Sequence, residues 1–181
     1  MAPTIAGTSC LTIAEDRLVN SVANSSTFQT LVGAVSGAAA KSRIYLDEVP
    51  NANLDRDDWT QEEWDDLFPL CLITPPPDEP AIRYVHDANG TGFEYVRSYR
   101  FHVCFEQKAN ETLDAQDALR EFKDTVDTII SDMLDQTSQD DRFSPTLVQP
   151  VGPPETGTYA RLATLGPVHQ WKWLFENTVE L

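Results

Sequence analysis

His102 and Cys104 are two residues apart, so on a strand both would project from one face and form half of a zinc-type site. A closed site needs a second pair, and none has ligand spacing. His86 and His169 are isolated, and Cys10, Cys71 and Cys104 show no CxxC pattern. These cysteines read as reduced thiols behaving as small hydrophobes. Asn51, Asn53, Asp55, Asp57 and Glu62 fall at positions 1, 3, 5, 7 and 12 of an EF-hand-like count. Arg56 stands where that loop needs glycine for its sharp turn, and two of the ligands would be neutral amides. The chain has no GxSxG, P-loop, GxGxxG or HExxH pattern. The residues therefore assign no catalytic group, no cofactor and no metal.

Charge is the more informative feature. The 181 residues carry 29 acids and 13 Lys+Arg, a formal net charge of −16, with 41% hydrophobic residues. This composition fits a folded domain with a real core. It opposes binding to nucleic acid through Lys and Arg, and docking on anionic membranes. The excess is localised. Residues 47–66 hold nine acids and one base, and residues 106–141 hold eleven acids and three bases. The remainder is neutral. On a helix through the second segment, Asp114, Asp117, Glu121, Asp124, Asp132 and Asp135 project opposite the apolar stripe. Such a ridge is either a solvated face or a surface for a basic partner or a DNA passage. In the first segment, Trp59 and Trp64 sit among acids. They would either anchor a partner or pin the connector onto the domain's own core.

These groups need elements to hold them. Residues 1–11 read as a loose arm, and Thr12 to Glu15 has capping-box spacing for a first helix. Ser26 is placed to cap a second, and Arg43 to Leu46 reads as a strand. An acidic connector (47–66) leads to a strand from Phe68 to Ile73, stopped by Pro75-Pro76-Pro77. Strands 82–86 and 92–107 flank Asn89-Gly90, a hairpin signal. Phe93, Tyr95, Tyr99, Phe101, Val103 and Phe105 share one face of the second. Leu119, Phe122, Val126, Ile129, Ile130 and Met133 mark a long amphipathic helix over about 112–135. Residues 136–157, with four prolines, read as an extended loop, and 159–165 as a possible strand. His169, Trp171, Trp173, Phe175 and Val179 alternate in a closing strand. The sum is an α+β domain over 12–181. Its sheet is largely antiparallel or mixed, the long helix packs on one face, and short helices precede it. No apolar run reaches the ~20 residues of a membrane helix. The first basic residue is Arg17, so no signal peptide is expected. The triplets at Asn24, Asn89 and Asn110 are accordingly read as chance glycosylation matches.

Three stretches resemble the tail-terminator and neck (tail-completion, head–tail joining) proteins of long-tailed bacteriophages. They are Arg97-Ser98-Tyr99-Arg100-Phe101-His102-Val103-Cys104-Phe105, Asp117-Ala118-Leu119-Arg120-Glu121-Phe122, and Trp171-Lys172-Trp173-Leu174-Phe175. The resemblance, in element order and texture, covers about residues 12–181. It implies a non-enzymatic virion protein, made in the host cytoplasm. Such proteins form a homo-oligomeric ring, usually a hexamer, between the tail tube and the head–tail connector. DNA would pass without specific binding. The acidic helix face or the connector would line the channel. The 136–157 loop, and the arm, would reach a neighbouring subunit. Two rival readings differ in class. One is an acidic adaptor or DNA-mimic inhibitor of a basic protein. The other is a small hydrolase or metal enzyme built on the scattered histidines and carboxylates. Native mass separates a ring from both.

Overall fold

A computed structural model describes residues 10–49, 59–77, 82–86, 95–109, 112–137, 148–159 and 166–179. In chain order these form α1 (Cys10–Asn24), α2 (Ser26–Leu31), α3 (Gly37–Ala40) and a 3-10 turn (Lys41–Arg43). Then come β1 (Ile44–Leu46), α4 (Gln61–Leu67), β2 (Leu70–Thr74) and β3 (Ile82–His86). The last four are β4 (Tyr95–Lys108), α5 (Ala115–Thr137), β5 (Val148–Tyr159) and β6 (Val168–Val179). The fold is α+β with one mixed sheet.

Strand β4 is the spine of that sheet. One of its sides pairs with β6 along nearly its whole length, from Arg97 opposite Val179 to Lys108 opposite Val168. The other side is shared: β3 takes its first part and β2 its second, both antiparallel. The order is β1-β2-β4-β6-β5, with β1 parallel to β2. Alternation decides the faces. Tyr99, Phe101, Val103 and Phe105 join Cys71, Ile73, Trp171 and Phe175 beneath α1, α2 and α5. Phe28 of α2 meets Phe105 edge-on at 6.0 Å. Asn177 ties α1 to the sheet, its amide donating to the Ala14 carbonyl at 3.1 Å.

The opposite face carries a second, smaller cluster of Trp64, Leu67, Phe68, Leu70 and Val168, with Tyr45, Trp59 and Leu72 packed on it. It lies under α4, which makes the parallel crossover from β1 to β2. Helix α4 was not expected from the sequence, which reads as connector there. A capping box starts it: Thr60 Oγ1 accepts from the Glu63 N–H at 3.2 Å, and Glu63 accepts from the Thr60 N–H at 2.9 Å.

The proline-rich loop expected over 136–157 is corrected in its second half, which is strand β5. Prolines are tolerated because β5 is the sheet edge, where one side of the backbone needs no ladder partner. Pro153 and Pro154 fall in a bulge between Val151 and Glu155. Gly152 opens the bulge at φ +71°, a conformation that favours glycine. Its carbonyl accepts from Trp173 Nε1 at 2.6 Å. Other boundaries shift slightly. Helix α1 begins at Cys10, within the expected arm, ahead of the Thr12–Glu15 box. Ser25, not Ser26, caps α2. The Asn89-Gly90 turn, residues 1–9 and residues 138–147 lie outside the described residues, as does the stretch 160–165.

Candidate functional site

Helix α5 seats its apolar stripe on the sheet and turns its carboxylates outward. Phe122, Val126, Ile129, Ile130 and Met133 are buried, while Asp117, Glu121, Asp124 and Asp135 are exposed. Asp114 precedes the helix and is also exposed; its carboxylate accepts from the Gln116 N–H at 2.9 Å. This favours the positive end of the helix. Asp127, passed over in the sequence reading, is exposed as well and extends the acidic surface along one flank. Arg120 and Asp117 approach to 4.0 Å with both side chains largely in solvent, so their pairing does little to neutralise the face.

Asp132 does not belong to that exposed ridge. It lies on the flank of α5 that faces α2, and its carboxylate accepts from the Ser25 hydroxyl at 2.7 Å and the Thr27 N–H at 3.4 Å. The Ser25 hydrogen bond, above all, holds its pKa below the ordinary carboxylate range. A depressed folded-state pKa stabilises the fold above the unfolded value, and that contribution is lost as pH falls through the folded one. Asp132→Asn should therefore cost roughly 0.3–1 kcal/mol near neutrality. The variant should also lose less of its remaining stability in acid than the parent. Urea midpoints measured from pH 7 down to the acid limb check both.

The two candidate interface anchors, Trp59 and Trp64, pack within the chain. Trp64 is 4% exposed and Trp59 half-buried. Their rings meet edge-on at 5.9 Å, and Trp64 meets Phe68 at 4.9 Å. They hold α4 against the chain's own sheet, the second of the two roles their sequence context allowed. Lys108 of β4 pairs with Asp65 on the same helix.

His102 and Cys104 do share a strand face. Cys104 is buried there, its thiol 3.9 Å from Glu106. Among the described residues no three His, Cys, Asp or Glu side chains converge as a metal site. The EF-hand-like positions Asn51, Asn53, Asp55 and Asp57 lie outside the described residues. Cys71, on the core face, is fully buried, and desolvation pushes its pKa well above that of a free thiol. It is therefore a packing residue rather than a thiolate nucleophile.

A cleft was not legible in the sequence. It opens between α2 and the first turns of α5, and His169 of β6 lies at its edge. His169 stacks on Phe122 at 5.8 Å and meets Thr158 Oγ1 through Nδ1 at 2.9 Å. Burial lowers its pKa, which keeps the ring neutral. The alternation of β6 places His169 on the core face, but only the fold brings α2 and α5 over it.

No protein-family model matches this sequence, and no curated protein is similar to it. The functional reading therefore rests on the geometry of the exposed acidic face and on the resemblance described above. Among the described residues no helix is long and apolar enough to cross a membrane.

Proposed function

We propose that this chain is a structural subunit of a closed ring at the head-proximal end of a phage-type tail. The ring, a hexamer by preference, joins the tail tube to the head connector and passes DNA without binding it. The observation that carries this reading is the outward carboxylate face of α5, set opposite a fully seated apolar stripe. Carboxylates so arranged contribute little to the fold and repel one another. Lining a passage, they repel phosphate and keep a DNA strand mobile. Closed rings use one head-to-tail interface repeated by rotation. In the virion the subunit contacts two kinds of neighbour, tube and connector, in addition to its own copies.

Native mass measurement tests the ring first. A closed oligomer, six subunits by preference, is expected at micromolar concentration or on addition of tail tubes. A stable monomer or dimer that binds a basic protein in a salt-sensitive way would replace this reading with the DNA-mimic adaptor. The second test reverses charge. Asp117, Glu121 and Asp124 replaced together by lysine should leave the thermal midpoint within a few degrees, since all three are exposed. The same particles should eject DNA more slowly or fail to join heads. Unchanged infectivity and DNA release would remove the passage role from this face.

A further inference from the structure

The cleft between α2 and α5 has a volume of about 510 Å³, within the range of sites that hold a small molecule or a peptide side chain. His169 is 2% exposed, and its Nε2 is buried with no hydrogen-bond partner among the described residues. Buried polar atoms in folded proteins are nearly always satisfied, so an orphan beside a cleft points to a missing partner. The direction of the Thr158–Nδ1 hydrogen bond follows the ring tautomer, and in the Nδ1–H tautomer Nε2 presents a lone pair.

The threonine hydroxyls of the lining have the same polarity, and Gln107 adds an amide that accepts as well as donates. Thr30 Oγ1 donates to the Ser26 carbonyl at 2.9 Å, and Thr125 Oγ1 donates to the Glu121 carbonyl at 2.9 Å. The Thr27 side chain is turned to Asp132. With their hydrogens committed inside the protein, these hydroxyls offer the cleft oxygen lone pairs alone. Glu121 adds a carboxylate at the rim, and a shallow depression with Asp117, Asp124 and Arg120 continues from it, Arg120 lying 4.0 Å from Asp117. Lys108, the cation in the cleft lining, is paired to Asp65. Phe122 and Leu31 provide apolar wall. A lining with an excess of acceptors around an apolar floor, in a chain of net charge −16, favours a cation rich in N–H donors.

The geometry points to this cleft as a receptor for an arginine side chain carried by a second polypeptide, its guanidinium donating to Glu121, the threonine oxygens and His169 Nε2. Arginine fits better than lysine because its guanidinium is planar, carries five donors in a fixed fork and sheds water more readily. The volume exceeds a guanidinium head and leaves room for the stem and flanking backbone. The assignment does not depend on the ring reading.

The test is a titration followed by the ¹⁵N and ¹H signals of the His169 ring. The probe is N-acetyl-arginine-methylamide, raised to about 50 mM so that even a millimolar site fills. A saturable shift of His169 is expected, and roughly tenfold weaker binding of the neutral citrulline analogue. Glu121→Gln, an exposed change that leaves the fold alone, should weaken the arginine probe by about two- to fivefold. n-Butylguanidinium, the same singly charged head and stem without flanking backbone, should bind more weakly than the arginine probe. No response of His169, an equal response to citrulline, or no effect of Glu121→Gln would overturn the guanidinium assignment. n-Butylguanidinium binding more tightly than the arginine probe would overturn the polypeptide source and leave a free small cation.

Discussion

Phe122→Ala is expected to destabilise the fold by about 3–5 kcal/mol, the range for emptying a buried aromatic site. For a chain of this size that is a fall of about 6–20 °C in the thermal midpoint. Phe122 is 2% exposed and lies in the main core cluster, where α5 meets the sheet. Its ring also stacks on His169, so alanine would uncover an imidazole already short of one hydrogen-bond partner. The cavity term dominates, and water admitted to the uncovered imidazole offsets a small part of it. Calorimetry of Phe122→Ala beside Leu119→Ala, a half-buried position on the same helix, separates core loss from helix-propensity effects. A loss below about 1 kcal/mol would mean that α5 is not seated on the sheet through Phe122.

The main frame was legible because it is written in periodicity. Tyr99, Phe101, Val103 and Phe105 alternate, Leu119 through Met133 recur at helical steps, and Trp171 through Phe175 alternate again. Those patterns need only one neighbour each to be satisfied, and they produce β4, α5 and β6. What failed was read from residue type without position. Pro150, Pro153 and Pro154 marked a loop, yet a sheet edge and a bulge remove the need for their missing N–H groups. Trp64 and Leu67 sat in a run of acids that reads as connector, without a helix. Their three-residue spacing behind Thr60-x-x-Glu63 was the local signal for α4.

The site divides in the same way. A single helix defines the outward face of α5, so Asp117, Glu121 and Asp124 were placed correctly by 100° projection alone. Asp132 projects onto the flank, where the outcome depends on whether another helix lies alongside. Helix α2 does, and Ser25 takes the carboxylate. The cleft beside His169 joins α2, α5, β4 and β6, four elements distant in sequence. No spacing rule connects Thr30, Thr125 and His169 before the sheet has formed.

Trp64→Ala should act on the isolated subunit, with a loss of about 3–5 kcal/mol, because the indole fills the centre of the smaller cluster. Trp59→Ala, at a half-buried position, should cost less, roughly 1–2 kcal/mol. The contrast decides between the two roles of the acidic connector. A partner anchor would show the reverse pattern: unchanged stability in dilute solution and weakened assembly. Trp64→Phe sharpens the test. The Trp64 Nε1 is buried with no hydrogen-bond partner among the described residues, so phenylalanine gives up area but removes an unsatisfied donor. The two effects oppose, and Trp64→Phe is expected to retain most of the stability that alanine loses. Denaturant midpoints on dilute protein measure all three. If phenylalanine proved as damaging as alanine, the indole N–H would have to be making a hydrogen bond in solution.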